Sequence, residues 1–130
     1  MVQHSPDNFQ QSALRWLHDG HCLLAAERYG GASHAYGLAA ECALKHAMAS
    51  LPGGHRELPH RHLPDLIDDG KRWFSGRAHK GLFQLLNTQR YMADWSIHNR
   101  YWSDQHFSAA AAERFRDDAR LTCMAADLGV

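Results

Sequence analysis

Histidine is the chemically active residue this chain uses most freely, with 11 imidazoles among 130 residues. His18 and His21 stand three apart in helical text, and His55, His60 and His62 crowd one short stretch. Imidazoles bind metals and carry protons near neutral pH. A zinc site draws on four ligands with Cys or His at close, paired spacing. Cys22 follows His21, but no second cysteine or paired Cys/His spacing completes a set of four ligands and no His-Glu-x-x-His run occurs, so neither a metal nor another cofactor is expected. His18 instead suits a polar place at a helix–helix seam. The three cysteines, Cys22, Cys42 and Cys123, are far apart in apolar stretches and read as reduced, buried thiols without nucleophilic use. Gly30-Gly31 and Gly53-Gly54 lack the residues that complete a phosphate-binding loop.

Charge offers two further features. Glu41 and Lys45 lie one helical turn apart in otherwise apolar text. A charged pair in such a setting needs partners, because unpaired buried charge is costly. The pair suits a structural role, tying its helix to the segment around residue 100, or a place in a polar site. Residues 71–106 hold six basic side chains (Lys71, Arg72, Arg77, Lys80, Arg90, Arg100) against two acidic ones, in a chain whose overall balance is zero. The same segment holds Tyr91, Trp95, Tyr101 and Trp102. Cations beside aromatic rings suit phosphate contact and base stacking. They equally suit a solvated helix pair with its rings in the core.

The elements that position these residues are helices. Val and Ile number two each, while Ala and Leu dominate, which disfavours strands. The first helix is expected from Ser5 or Ser12 to Gly30-Gly31, with Leu14, Leu17, His18, His21, Leu24 and Ala25 on one face and Gly20 weakening it. A second, apolar nearly all round, spans about Ala32 to Leu51 and belongs at the centre of a bundle. Pro52-Gly53-Gly54 stops it. A short third helix covers Pro64 to Phe74, with Asp65 first and Lys71-Arg72 last, matching the helix dipole. A fourth covers Arg77 to Gln89 with Leu82, Phe83, Leu85 and Leu86 inward. Residues 91–103 form a packed loop. The last helix starts at Ser103 or Ser108 and runs to Asp127 on a stripe of Phe107, Ala111, Phe115, Ala119, Cys123 and Ala126.

The expected fold is therefore all-α, one domain over 1–130 with its core at about 12–127. The length suits one core, and 45% hydrophobic content with zero net charge argues against disorder. The overall balance also excludes a uniformly basic coat. No apolar run approaches the roughly 20 residues that span a bilayer. No basic or apolar leader is visible in Met1–Asp7, so a cytoplasmic place away from membranes is expected.

Four runs resemble the HEPN superfamily: Gly37-Leu38-Ala39-Ala40-Glu41-Cys42-Ala43-Leu44-Lys45, with His18-Asp19 before it, His62-Leu63-Pro64-Asp65-Leu66 after it, and Trp95-Ser96-Ile97-His98-Asn99-Arg100-Tyr101 further on. The resemblance covers roughly residues 12–127. It implies an up-and-down bundle of four to five helices, usually a homodimer. Many members are metal-independent endoribonucleases of toxin–antitoxin or defence systems. Others are non-catalytic modules that serve a partner protein encoded nearby, such as a nucleotidyltransferase. Catalytic members carry an Arg, four to six residues, then a His, a pattern that Arg100 and His106 fit. In that role the His moves the 2′-hydroxyl or leaving-group proton and the Arg holds the scissile phosphate. Lys71, Arg72, Arg77, Lys80 and Arg90 would add RNA contacts. Active members usually place a polar residue after the Arg; Tyr101 stands there, as in relatives that use an Arg-Tyr pair to close the bundle. The resemblance thus implies an RNA-cleaving or RNA-binding protein, or a dimerising interaction module.

Overall fold

The computed structural model describes residues 8–51, 57–75, 79–102 and 104–130, with Arg100 and Asp104 described in their backbone alone. Among these residues five α-helices form an all-α bundle: α1 (Phe9–Ala25), α2 (Tyr29–Ala49), α3 (Asp65–Trp73), α4 (Lys80–Leu86) and α5 (Ala109–Ala125). Two 3-10 helices, Ile97–Tyr101 and Asp104–His106, lie between α4 and α5. No strand occurs among the described residues, and none of their helices is long and apolar enough to cross a membrane.

Helix α2 is the axis. Ala32, Ala35, Tyr36, Ala39, Ala40, Ala43, Leu44, Ala47 and Met48 are all buried. Its many alanines let α1, α3, α5 and both 3-10 helices pack against it. Helix α1 contributes Ala13, Leu17 and Gly20, and α5 contributes Ala112, Phe115, Ala119 and Cys123. Leu66, Phe74, Leu82 and Leu86 from the α3–α4 region extend the core.

Several boundaries differ from expectation. Helix α1 starts at Asn8, whose Oδ1 accepts from the Gln11 N–H at 2.9 Å; the expected Ser5 cap lies outside the described residues. It ends before Gly30-Gly31. Glu27 takes a left-handed φ of 61°, Arg28 N–H donates to Leu23 O at 2.8 Å, and Glu27 N–H donates to Leu24 O at 3.0 Å. This is a Schellman stop with Glu at the position glycine normally fills. Gly30 and Gly31 then lie inside the first turn of α2, where packing against α1 outweighs a penalty of about 1 kcal/mol each. Asp127 stops α5 in the same way, with φ 60° and bonds from Leu128 N–H to Cys123 O and Asp127 N–H to Met124 O. Ser108 is the α5 N-cap, its hydroxyl accepting from Ala111 N–H. Helix α4 is shorter than expected, and its expected start at Arg77 lies outside the described residues.

The buried face of α1 runs through Ala13, Leu17 and Gly20, so His18, His21 and Ala25 are exposed. Gly20 is there because the Tyr36 ring sits on it: a Cβ would lie 2.6 Å from Tyr36 Cε1. His18 does not occupy the seam; the residue touching α2 is His21, whose Nδ1 lies 2.7 Å from Tyr36 Oη. Cys22 is exposed, Cys42 half-buried and Cys123 buried. The expectation of three buried thiols fails at Cys22, which lies about 200° around the helix from Gly20.

A cleft beside His106 and a carboxylate–histidine pair

The 91–102 segment carries the Arg100 turn, and Trp95 anchors it. The Trp95 indole is buried against Gly37 of α2, and its Nε1–H donates to Ser33 O at 2.7 Å. Tyr91 donates its hydroxyl hydrogen to Thr122 Oγ1 at 2.7 Å, since that Thr hydroxyl itself donates to Asp118 O. Met92 and Asp94 have φ of 48° and 70°, each a strained setting for a residue with a Cβ. The turn is held by Asp118 Oδ2, which accepts from Met92 N–H at 2.8 Å, and by Asn99 Nδ2, which donates to Asp94 O at 3.0 Å. Burial raises the Asp118 carboxyl above its ordinary range, while the Met92 N–H pulls the other way.

Of the four aromatics of this segment, Tyr91 and Trp95 belong to the core, and Tyr101 and Trp102 are 75% and 50% exposed. Trp102 meets the His106 ring edge-to-face at 5.7 Å between centroids. A cleft of about 300 Å³ opens here, lined by Asp94, Asn99, Trp102, His106, Phe107 and Arg114. Asn99 is buried, and its Oδ1 has no hydrogen-bond partner among the described residues. Arg100 lies on the 3-10 helix that also carries Asn99 and leads into Trp102, and His106 ends the next one. Arg114, from α5, enters this cleft although it lies outside the basic 71–106 segment, and no sequence motif marks it.

The expected RNA-contact residues are scattered in character. Lys80 and Arg90 are exposed, and Lys71 is half-buried. Arg72 is engaged by buried Asp69 at 2.5 Å, and Arg61 Nε holds the same carboxylate at 2.8 Å. Arg77 lies outside the described residues.

Glu41 is buried, as an acid in apolar text requires, and among the described residues it ties α2 to the stretch ahead of α3; the side chain of Arg100, the tie expected from the sequence, lies outside what is described. Glu41 Oε1 accepts from Leu63 N–H at 3.1 Å, its Oε2 lies 3.0 Å from His62 Nδ1, and Lys45 Nζ stands 3.7 Å from Oε2. Among the described residues its partners are therefore Lys45 and the His62-Leu63 stretch ahead of α3. A carboxylate offers only acceptors, so His62 Nδ1 is the donor. This leaves Nε2 as the acceptor whenever the ring is neutral. His62 is half-exposed and lines a second cleft of about 580 Å³ with His60, His98, Ser96, Ile97 and residues 63–65. Sequence reasoning noted each partner separately and missed the pair, because 21 residues separate them. Among the described residues no cluster of His, Cys, Asp and Glu could hold a metal ion.

Comparison with protein families, curated proteins and solved structures finds no match to this chain.

Proposed function

We propose that the chain is a HEPN-like module that acts on RNA, a metal-independent endoribonuclease of a toxin–antitoxin or defence system working as a homodimer. One observation supports this most: exposed Trp102 lies beside His106 and Arg114 at an open cleft, next to exposed Tyr101 on the turn that carries Arg100. Exposed rings give stacking worth about 1–3 kcal/mol per base, whatever the base. In this reading Arg100 holds the scissile phosphate, and His106 moves the proton that the departing oxygen needs. Tyr101, at the Arg100 step, is a stacking surface. The test is cleavage of labelled total RNA and tRNA in EDTA, beside the Arg100→Ala, His106→Ala double variant. Cleavage by the wild type alone supports the reading, and equal cleavage by the double variant removes it.

A second reading has its own observation. Leu121 and Met124 are each about half exposed on the outer side of α5, together with Asp117 and Arg120 around a shallow cleft. Such a patch suits a second copy or a partner protein, as in a non-catalytic module. A folded dimer that cleaves no RNA would favour it.

A further inference from the structure

We propose that the cleft beside His62 is a second working site, in which Glu41 positions His62 to take the proton from a ribose 2′-hydroxyl of bound RNA. The proposal rests on the RNA reading above and adds a residue and a cleft to it. Three observations carry it. First, the Glu41 carboxylate is buried and held from three sides, by Leu63 N–H, His62 Nδ1 and Lys45. That fixes the imidazole at Nδ1 and leaves Nε2 as its basic atom, the arrangement that serves proton transfer in carboxylate–histidine pairs. Second, the cleft of about 580 Å³ is large enough for a nucleotide. Third, three imidazoles line it, those of His60, His62 and His98. Arg61, which also lines it, is engaged by Asp69 Oδ2 and Asp65 O. His98 lies on the same 3-10 helix as Arg100 and Tyr101, so residues 96–98 of this segment border one cleft while Asn99 and Trp102 border the other.

The step balances as follows. The 2′-hydroxyl gives its proton to His62 Nε2. The 2′-oxygen forms a bond to phosphorus, and the bond from phosphorus to the 5′-oxygen breaks. His98 supplies the proton to the departing 5′-oxygen. The products are a 2′,3′-cyclic phosphate and a 5′-hydroxyl, without metal or oxidant. Glu41 is a positioning residue, since it is buried and acts on the substrate only through His62.

The experiment follows kcat, KM and product termini for a labelled single-stranded RNA in EDTA. It compares wild type, His62→Gln, Glu41→Gln and the Arg100→Ala, His106→Ala variant, with folding checked by circular dichroism. His62→Gln is the decisive variant, because its half-exposed side chain can be replaced without opening the core. Gln can still donate to Glu41 but accepts no proton. The expected result is a fall of about 10²–10⁴-fold in kcat for the cuts made in this cleft, with KM within about threefold and the cuts that depend on Arg100 and His106 retained. Glu41→Gln should also lower kcat with KM within about threefold, as the loss of a group that orients the imidazole without touching substrate requires. His62→Gln at the wild-type rate overturns the proposal. If the Arg100, His106 variant is then dead, the RNA reading stands without it. Loss in His62→Gln with full activity in the Arg100, His106 variant supports the proposal and moves the chemistry to the His62 cleft. A folded wild type that cleaves nothing overturns the proposal, and fluorescence anisotropy of the same RNA then shows separately whether the chain still binds it.

Discussion

Replacing Gly37 by Ala should be among the most damaging single-methyl changes in this chain. A Cβ there would lie 1.7 Å from Trp95 Cε2 and 2.1 Å from Nε1, against an ordinary carbon contact of about 3.5–4.0 Å. The indole must retreat by about 2 Å, and its hydrogen bond to Ser33 O breaks with it. Overpacking of this kind costs about 1–3 kcal/mol, and the lost bond about 0.5–1.5 kcal/mol. Helix propensity returns about 1 kcal/mol, since Ala is the better helix former. The net expectation is a destabilisation of about 1–3 kcal/mol, or a fall in Tm of roughly 4–12 °C for a domain of this size. Thermal and urea unfolding followed by circular dichroism measure it. Gly81→Ala is the control: that site is an exposed helical position with nothing within 4 Å, so it should gain about 1 kcal/mol. Because Trp95 anchors the segment leading to Arg100, Gly37→Ala should also weaken any RNA activity. A Gly37→Ala protein as stable as the parent would refute the packing argument, and a Gly81→Ala loss would refute the propensity correction.

Three more outcomes are expected. Glu27→Gly should stabilise the fold by about 0.5–1 kcal/mol by relieving the left-handed residue at the end of α1, and an unchanged urea midpoint would count against the Schellman assignment. Burial first, then Arg120, Arg116 and His18, hold His21 below its ordinary pKa, so the unfolded chain takes that proton more readily. The stability it contributes is present above about pH 6.5 and is lost as pH falls towards the folded value, so Tm should drop between pH 7.5 and 5.5. It should drop less in His21→Gln; an identical drop in both proteins would disprove the link. Among the three cysteines only Cys22 is exposed, and burial pushes the Cys42 and Cys123 thiols up to about 11. A thiol reagent at pH 8 should therefore label one site quickly and the other two only in denaturant; two fast sites would contradict the packing around Cys42 or Cys123.

Much of the fold was legible because helices announce themselves locally. Low Val and Ile content, the apolar run of α2, the dipole-matched ends of α3 and the Ser108 cap of α5 are read from residues within a few positions of each other. Gly30-Gly31 misled for the same reason: local propensity marks a break, whereas the true stop is a left-handed Glu27 held by bonds back to Leu23 and Leu24. Helical text also left open which aromatics are core. Tyr91 and Trp95 go inward because Thr122 and Ser33 offer hydrogen-bond acceptors and Gly37 leaves room, and Tyr101 and Trp102 remain outside.

The sequence by itself determined that Glu41 needs a partner, since a carboxylate in apolar helical text cannot stay unpaired. Which partner it takes was decided by the tertiary structure. The choice of His62 and Leu63 depends on how the chain returns to α2 before α3 begins, and no periodicity encodes a contact between residues 21 apart. The same holds for Arg114 beside His106. Periodicity specifies which side of a helix is buried, whereas the meeting of polar groups from separate elements is set by packing, and the chemistry of this chain lies at those meetings.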